Sequence, residues 1–353
     1  MKTETLDYSL PESMIAQHPI EPRDSSRLLV LKRAESSIEH RVFRDIVEYL
    51  QPGDLLVANE SRVIPARMFG RKDGSGGRVE VLLLRKLAQQ RWACLIGGAK
   101  TAVGTRIRFY TGETPSALTA TVLERAEKGE RIVEFSEPVE DYYEDLGVMQ
   151  LPPYIHEPLH DPERYQTIYS RTEGSAAAPT AGLHFTPELM LGLRELQISV
   201  AYVTLHVGLD TFRPIGEDVV EEHAIHSEWC SLSTPVAEQI NRTKVMGGRI
   251  VAVGTTSVRV LETAARRGLL QTPDGVCPWR TLAPFEGFTD LFITPGFQFR
   301  VVDALITNFH LPRSTLLALV MAFAGEEQIR RAYEEAIAAQ YRFYSFGDAM
   351  LIL

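Results

Sequence analysis

Cysteine is scarce in this 353-residue chain, and Cys94, Cys230 and Cys277 stand far apart with no CxxC spacing. That excludes a disulfide framework and a cysteine zinc site, and it fits a reducing cytoplasm. Long apolar runs are lacking too. The best one, Leu316 to Ala324, is far too short to span a bilayer, and the opening residues Met1 to Tyr8 carry no apolar signal core. Neither membrane insertion nor export is expected. Positive charge is in deficit: 37 Lys+Arg face 46 Asp+Glu, a net charge of −9, so the field of the whole chain does not draw in a polyanion from a distance. A local basic face remains compatible with that sum. Internal repeats and low-complexity tracts are absent. With 44% hydrophobic and 24% charged residues, the chain has the balance of a globular protein that buries one large core and one smaller one.

The periodicity is α/β at both ends and all-β between them. Arg27–Leu31 predicts a strand, Phe43–Leu50 a helix, Pro52-Gly53 a turn and Leu55–Ala58 another strand. From Val63 to Val148 short strand-like runs follow closely, at 78–84, 91–96, 105–109, 117–123 and 131–135, with glycine-rich turns such as Gly74–Gly77. No helix separates them, which predicts a small antiparallel barrel inserted into a larger domain. After Leu151 the helix-strand rhythm returns. Thr186 and Pro187 open a helix to about Gln197, followed by strand Ile198–Leu205. Thr234-Pro235 and Gly247-Gly248 bracket a helix, then come strand Arg249–Val253 and a helix from Thr256 to Gly268. Strands near Leu291–Thr294 and Ala304–Thr307, a helix opened by Ser314 and an amphipathic helix from Glu326 to about Tyr341 complete the chain. The expected domains are residues 1–62 with 149–353, and the insertion 63–148.

Four polar, glycine-bearing segments stand out: Pro179–Phe185, Thr204–Asp210, Gly254–Ser257 and Thr307–Pro312. Most directly follow a strand-like run. Loops after strand carboxyl ends form the ligand crevice of α/β proteins, so these segments point to one shared site and to an enzyme. Gly254-Thr255-Thr256-Ser257 lies at a strand-to-helix junction, where free amides and the helix dipole favour a carboxylate or phosphate and Arg259 would clamp it bidentately. An ordinary helix cap beside a surface arginine gives the same residues. It matches neither GxGxxG nor a Walker loop.

His184 shares its segment with Gly182, which permits close backbone approach of a nucleobase or ribose. His206 and His310 recur after other strands, so a common role competes with three structural hydrogen bonders. Asp210 and Arg213 offer a carboxylate and a cation at one mouth, or a surface salt bridge. His223, His226 and Glu228 have spacings compatible with zinc but lack HExxH order and cysteine support, so no metal is expected. The aromatic-basic end, Tyr341 to Asp348, either stacks on bases or is a docked tail closing the core.

Taken together, Asn59–Arg67, Gln150–Ile155, Ala178–Thr186, Leu205–Pro214, Gly254–Arg259 and Leu305–Thr315 resemble, in order and over essentially the whole chain, the S-adenosylmethionine:tRNA ribosyltransferase-isomerase family of queuosine biosynthesis. Departures are small: Glu60-Ser61 stands where the family usually has Asp-Thr, and Thr294–Phe297 replaces a tyrosine-flavoured version. The resemblance implies an α/β fold class, with a large α/β barrel-like domain interrupted by a small antiparallel β-barrel. It also implies a reaction: the ribosyl part of S-adenosylmethionine passes to 7-aminomethyl-7-deazaguanine at the tRNA wobble position and isomerises. Epoxyqueuosine-tRNA, adenine and methionine are then the products.

For that chemistry a neutral imidazole suits removal of the ribose 5′ proton, which the sulfonium acidifies. His184 and His206 are the proton-transfer candidates, with Asp210 orienting an imidazole or balancing the sulfonium. A second histidine would protonate the departing adenine. The substrate amine is the nucleophile, so neither a triad nor a thiolate is required. Thr255, Thr256, Ser257 and Arg259 are expected at the methionine carboxylate, with Gly254 beside them in the substrate-binding set. Asn59, Thr180, Gly182, Arg213, Asn308 and His310 complete the expected substrate-binding set, and Arg62 and Arg67 with barrel residues are expected tRNA contacts. S-adenosylmethionine is then a consumed co-substrate, no metal takes part, and the enzyme works as a cytoplasmic monomer on tRNA. Two other readings stay open. A nucleoside hydrolase would use the same His and Asp with water, and a non-catalytic RNA-binding module would leave the histidines structural.

Overall fold

A computed structural model describes residues 1–98, 101–126, 129–208, 211, 213–271 and 282–353. Its strands begin with β1 Arg27–Lys32, β2 Ser37–Val42, β3 Leu55–Asn59, β4 Ser61–Val63, β5 Arg67–Lys72, β6 Arg78–Lys86, β7 Arg91–Gly97, β8 Arg106–Thr111 and β9 Thr114–Arg125. They continue with β10 Arg131–Phe135, β11 Gly147–Val148, β12 Thr172–Ser175, β13 Ser199–Leu205, β14 Glu228–Leu232, β15 Ile250–Val253, β16 Phe285–Thr289, β17 Ala304–Asn308 and β18 Ala349–Ile352. The α-helices are α1 Tyr143–Leu146, α2 Pro187–Glu195, α3 Thr234–Val245, α4 Thr255–Gln271, α5 Thr315–Ala324 and α6 Glu326–Ala338.

The chain forms two compact units, one of residues 1–62, 152–172 and 178–353, the other of 63–151 and 173–177. Residues 173–177 belong to the smaller unit, where the Ile64 N–H donates to the Ser175 carbonyl at 3.0 Å.

The larger unit is built on a mixed nine-stranded sheet in the order β16-β14-β13-β3-β15-β17-β18-β1-β2. β13, β3, β15 and β17 are mutually parallel. β3, β15, β17 and β18 are buried at every residue, as unbroken apolar runs must be when both faces of a sheet are covered. One face packs Leu56, Val251, Ile306 and Leu351 against Phe43, Phe185, Leu189 and Leu193. Helix starts follow their signals: Thr186 Oγ1 accepts the Leu189 N–H at 3.1 Å, and Ser314 Oγ accepts that of Leu317 at 3.2 Å.

Three elements differ from expectation. Phe43–Glu48 is a 3-10 helix, short and closed at its start by Asp45 accepting the Val42 N–H. Leu291–Thr294 is not a strand, because the Leu291 carbonyl accepts from Arg259 while the ladder of this region runs through β16. The chain end adds an unforeseen strand, β18, between β17 and β1.

The smaller unit is a closed barrel of six antiparallel strands, β5-β6-β7-β10-β9-β8, with β8 pairing back onto β5. Closure brings Gly70 so near β8 that a Cβ there would lie 2.9 Å from the Arg108 carbonyl oxygen. Only glycine fits that crossing. Met68, Val81, Ile107, Phe109, Val122 and Val133 fill the interior. No helix among the described residues is long and apolar enough to cross a membrane.

Candidate active site

Because β13, β3, β15 and β17 run parallel, Leu205, Asn59, Val253 and Asn308 all end at one edge of the sheet, where α/β proteins place their ligands. Asn59 is spent on the protein itself. Its Oδ1 accepts the Leu205 and Ser61 N–H groups at 3.0 and 3.1 Å, and its Nδ2 donates to the Leu205 carbonyl at 2.9 Å. Gly254 turns the chain from β15 into α4 at φ +86, a backbone that disfavours any side chain.

A cleft with about 560 Å³ of empty space, part of it open to solvent, lies at this edge. Thr180, Gly254, Thr255, Thr256, Asn308 and His310 line it, together with Tyr154, Thr211, Tyr344 and Ser345. The Thr180 hydroxyl donates to Asn308 Oδ1 at 3.1 Å, and Asn308 Nδ2 donates to the Tyr344 carbonyl at 3.2 Å and to His184 Nε2 at 3.3 Å. This amide orientation makes Nε2 the acceptor, so the ring proton sits on Nδ1 and is donated to Ser26 Oγ at 2.7 Å. Phe43 stacks on the ring with centroids 4.9 Å apart. Burial, reinforced by the Arg342 and Arg23 charges, lowers the His184 pKa to about 3. His184 is thus neutral, has both ring nitrogens occupied, and reaches the cleft through Asn308.

His310 lines the cleft directly, with Nε2 2.7 Å from Thr307 Oγ1, and burial lowers its pKa to about 3. His206 follows β13. Its ring stacks on Trp229 at 5.0 Å, its pKa falls to about 4 through burial, and its buried Nδ1 has no hydrogen-bond partner among the described residues. Gly182 does not leave room for a ligand. A Cβ there would lie 2.1 Å from the Tyr169 hydroxyl oxygen, so the protein's own tyrosine fills the space.

The Gly254–Arg259 stretch divides. Thr255 and Thr256 face the cleft from the first turn of α4, where amides lack intrahelical acceptors, and the buried Thr256 Oγ1 has no partner among the described residues. Ser257 turns inward and donates to the Val253 carbonyl at 2.8 Å. Arg259 is buried in an ion pair with Glu228, and its Nε donates to the Leu291 carbonyl at 3.2 Å. Glu228 Oε1 in turn accepts the Gly208 N–H at 2.7 Å and the Thr211 hydroxyl at 3.3 Å. Both ions border a second cleft that shares Thr211 and Leu316 with the first.

His223 bonds Glu217 at 2.7 Å, and no group of three His, Cys, Asp or Glu able to hold a metal occurs among the described residues. The His156–His160 stretch matches HExxH in letters only, since Pro158 interrupts it and the backbone there is not helical. Arg213 is exposed, and Asp210 falls outside the described residues. Arg62 pairs with Glu163 in the larger unit, and Arg67 with Glu80 at 3.1 Å in the smaller one.

Sequence patterns did not single out Ser26, Thr211, Tyr154 or Ser345. Tyr154 and the chain end meet at the cleft: the Tyr154 hydroxyl lies 2.7 Å from Ser345 Oγ, with its ring 4.8 Å from that of Tyr344. Tyr341, Phe343, Tyr344 and Phe346 are all buried, as a docked tail requires. Their signal was the aromatic density of that tail.

Comparison with known proteins points to one family. A family model described as "Queuosine biosynthesis protein" matches residues 3–352. The S-adenosylmethionine:tRNA ribosyltransferase-isomerase of Symbiobacterium thermophilum is 53% identical over 356 residues, with 100% of both chains covered. That of Moorella thermoacetica is 52% identical over 357 residues, again with 100% of both covered. Among solved structures, the S-adenosylmethionine tRNA ribosyltransferase of Thermotoga maritima is 42% identical with a TM-score of 0.55, covering 99% of this chain and 100% of that one.

Proposed function

Because the chain belongs to the queuosine biosynthesis protein family and is a transferase-isomerase, we propose that it moves the ribosyl group of S-adenosylmethionine onto 7-aminomethyl-7-deazaguanine at the wobble position of tRNA. Isomerisation then yields epoxyqueuosine-tRNA, with adenine and methionine released. On this reading S-adenosylmethionine is consumed, no metal is called upon, and the enzyme acts as a cytoplasmic monomer. Residues 1–62 and 149–353 carry the chemistry, and 63–148 form the inserted barrel domain.

The observation that carries the reading is the cleft at the carboxyl-end edge of the parallel strands, bordered by Thr255, Thr256 and His310. His206 stands one residue past β13 at the same edge, next to the lining residue Val207 and outside the lining itself. The amides and hydroxyls opening α4 suit the methionine carboxylate. His206 is the better candidate for proton transfer, because its Nδ1 has no hydrogen-bond partner among the described residues whereas both nitrogens of His184 are taken. Burial holds all three imidazoles neutral, so His206 keeps a lone pair to accept a proton and none of the three is an imidazolium ready to donate one. The proton adenine needs on leaving is therefore the one His206 has just removed from C5′. On the same reading Asp210 orients an imidazole or balances the sulfonium, Arg213 belongs to the substrate-binding set, and His184 holds Asn308 toward the substrate.

Incubating the protein with S-adenosylmethionine and tRNA bearing the aminomethyl-deazaguanine, then analysing digested nucleosides by mass spectrometry, tests this. Epoxyqueuosine that disappears in His206→Asn supports it. Adenine released at full rate without tRNA identifies a hydrolase instead.

A further inference from the structure

The barrel has a polarised sequence. Residues 67–110 carry ten Lys+Arg against Asp73 and Glu80 alone, whereas nine of the twelve Asp+Glu in 63–151 fall at Glu124 or later. Strand pairing gathers the basic side chains. Arg71 on β5 lies directly opposite Arg78 on β6 and, on its other side, opposite Arg108 on β8. Alternation turns them outward: Met68 and Ile107 are fully buried, while Phe69 is 48% exposed and Arg78 and Arg106 are exposed. The Arg71 guanidinium lies 4.9 Å over the Tyr110 ring.

Like charges directly opposite one another weaken a strand pair, so the row Arg78, Arg71, Arg108 works against the pairing of β5 with β6 and β8. Nearby acids balance the row only loosely. Asp73 stands 3.6 Å from both Arg106 and Arg108, and Glu113, which bonds Arg71, is 83% exposed. Such surface pairs give way readily to a better anion. Arginine forks suit phosphate oxygens, and rings set among them suit unstacked bases.

We propose that this outer face of β5, β6 and β8 binds the tRNA backbone, with Arg71, Arg78, Arg106 and Arg108 on phosphates and Phe69 and Tyr110 stacking on bases. It rests on the reading of the protein as a tRNA-modifying enzyme. The net charge of −9 provides no long-range attraction, so the contact is local and strongly salt-dependent.

Fluorescence anisotropy with labelled substrate tRNA at several salt concentrations tests it, comparing the full-length protein with Arg71→Ala/Arg108→Ala, with Tyr110→Ala, and with Arg194→Ala, an exposed arginine of the larger unit, as a control. The double variant is expected to bind about tenfold more weakly at moderate salt and to lose a little over one unit of slope in log K against log salt. Tyr110→Ala should weaken binding without changing the slope, and Arg194→Ala should change neither. Thermal unfolding of the double variant at or above the parent temperature shows that the loss is not misfolding. Affinity and slope within twofold of the parent overturn the proposal, as does retained tRNA binding with lost adsorption to anionic phospholipid vesicles. If the unsubstituted protein neither binds nor modifies tRNA, the functional reading fails. If it modifies tRNA and the double variant does so equally well, only this face fails.

Discussion

Arg259 and Glu228 form an ion pair with side-chain exposures of only 9% and 7%, and Glu228 passes that order to the loop after β13 through Gly208 and Thr211. The arginine that sequence reading placed on a substrate carboxylate is already neutralised by a neighbour. We therefore expect its contribution to turnover to run through Glu228 and the position of Thr211 in the cleft wall. Arg259→Met should leave a buried unpaired carboxylate and cost about 3–5 kcal/mol in urea unfolding. Adding Glu228→Leu should recover most of that stability while turnover stays low, because Gly208 and Thr211 remain unbraced. A direct clamp predicts the opposite split, with a raised KM for S-adenosylmethionine, unchanged kcat and little loss of stability.

His184 makes stability depend on pH with a definite sign. Its folded pKa of about 3 lies below the ordinary value of 6.5, so the unfolded chain binds the proton first as pH falls. The stabilising contribution is complete above about pH 6.5 and is lost progressively toward pH 3. Between pH 7 and pH 5 one such histidine removes about 2 kcal/mol. His184→Gln should lower stability at pH 7, through loss of Phe43 stacking and the Ser26 bond, yet flatten the decline between those pH values. An unchanged slope in urea midpoints would show that His184 is not held neutral.

The legible part of this molecule was what local pattern controls. Thr186-Pro187 and Ser314 announced their helices, and the close run of short strands between Val63 and Val148 announced an antiparallel barrel. β18 was hidden because Ala349–Ile352 is only four residues at the chain end, and its strand character comes from being flanked by β17 and β1. At the candidate site, strand-end position marked the segments of His206 and His310, after β13 and β17, while His184 lies in a 3-10 turn that follows no strand of the large sheet. Sequence spacing says which residues reach one edge, but not which lone pairs remain free there. That is decided by Ser26 and Asn308 around His184 and by Trp229 beneath His206, contacts between residues remote in sequence.

With His206 as the proposed proton acceptor, Trp229 is expected to set the acid limit of activity. The stacked indole buries the imidazole and lowers its pKa to about 4, so kcat/KM should keep its proton acceptor down to about pH 5. Trp229→Ala lets water reach the ring and should raise the acidic limb of the pH profile toward 6.5. Trp229→Phe should retain most of the original profile. An acidic limb that stays put in Trp229→Ala assigns the titration to another group.

Gly182 offers a test of packing inside the wall of the site. A methyl group there meets the Tyr169 hydroxyl oxygen at 2.1 Å, so Gly182→Ala should destabilise by about 1–3 kcal/mol through overpacking. The Tyr169 hydroxyl is buried without a hydrogen-bond partner among the described residues, so Tyr169→Phe should be neutral or slightly stabilising alone. Combining the two removes the clashing oxygen, and the double variant should be more stable than the sum of the singles by at least about 0.5 kcal/mol. Thr167 Cγ2, 2.8 Å from the same position, keeps that recovery incomplete. If Gly182→Ala instead leaves stability intact and selectively raises KM for S-adenosylmethionine, the glycine makes room for substrate and Tyr169 has moved aside.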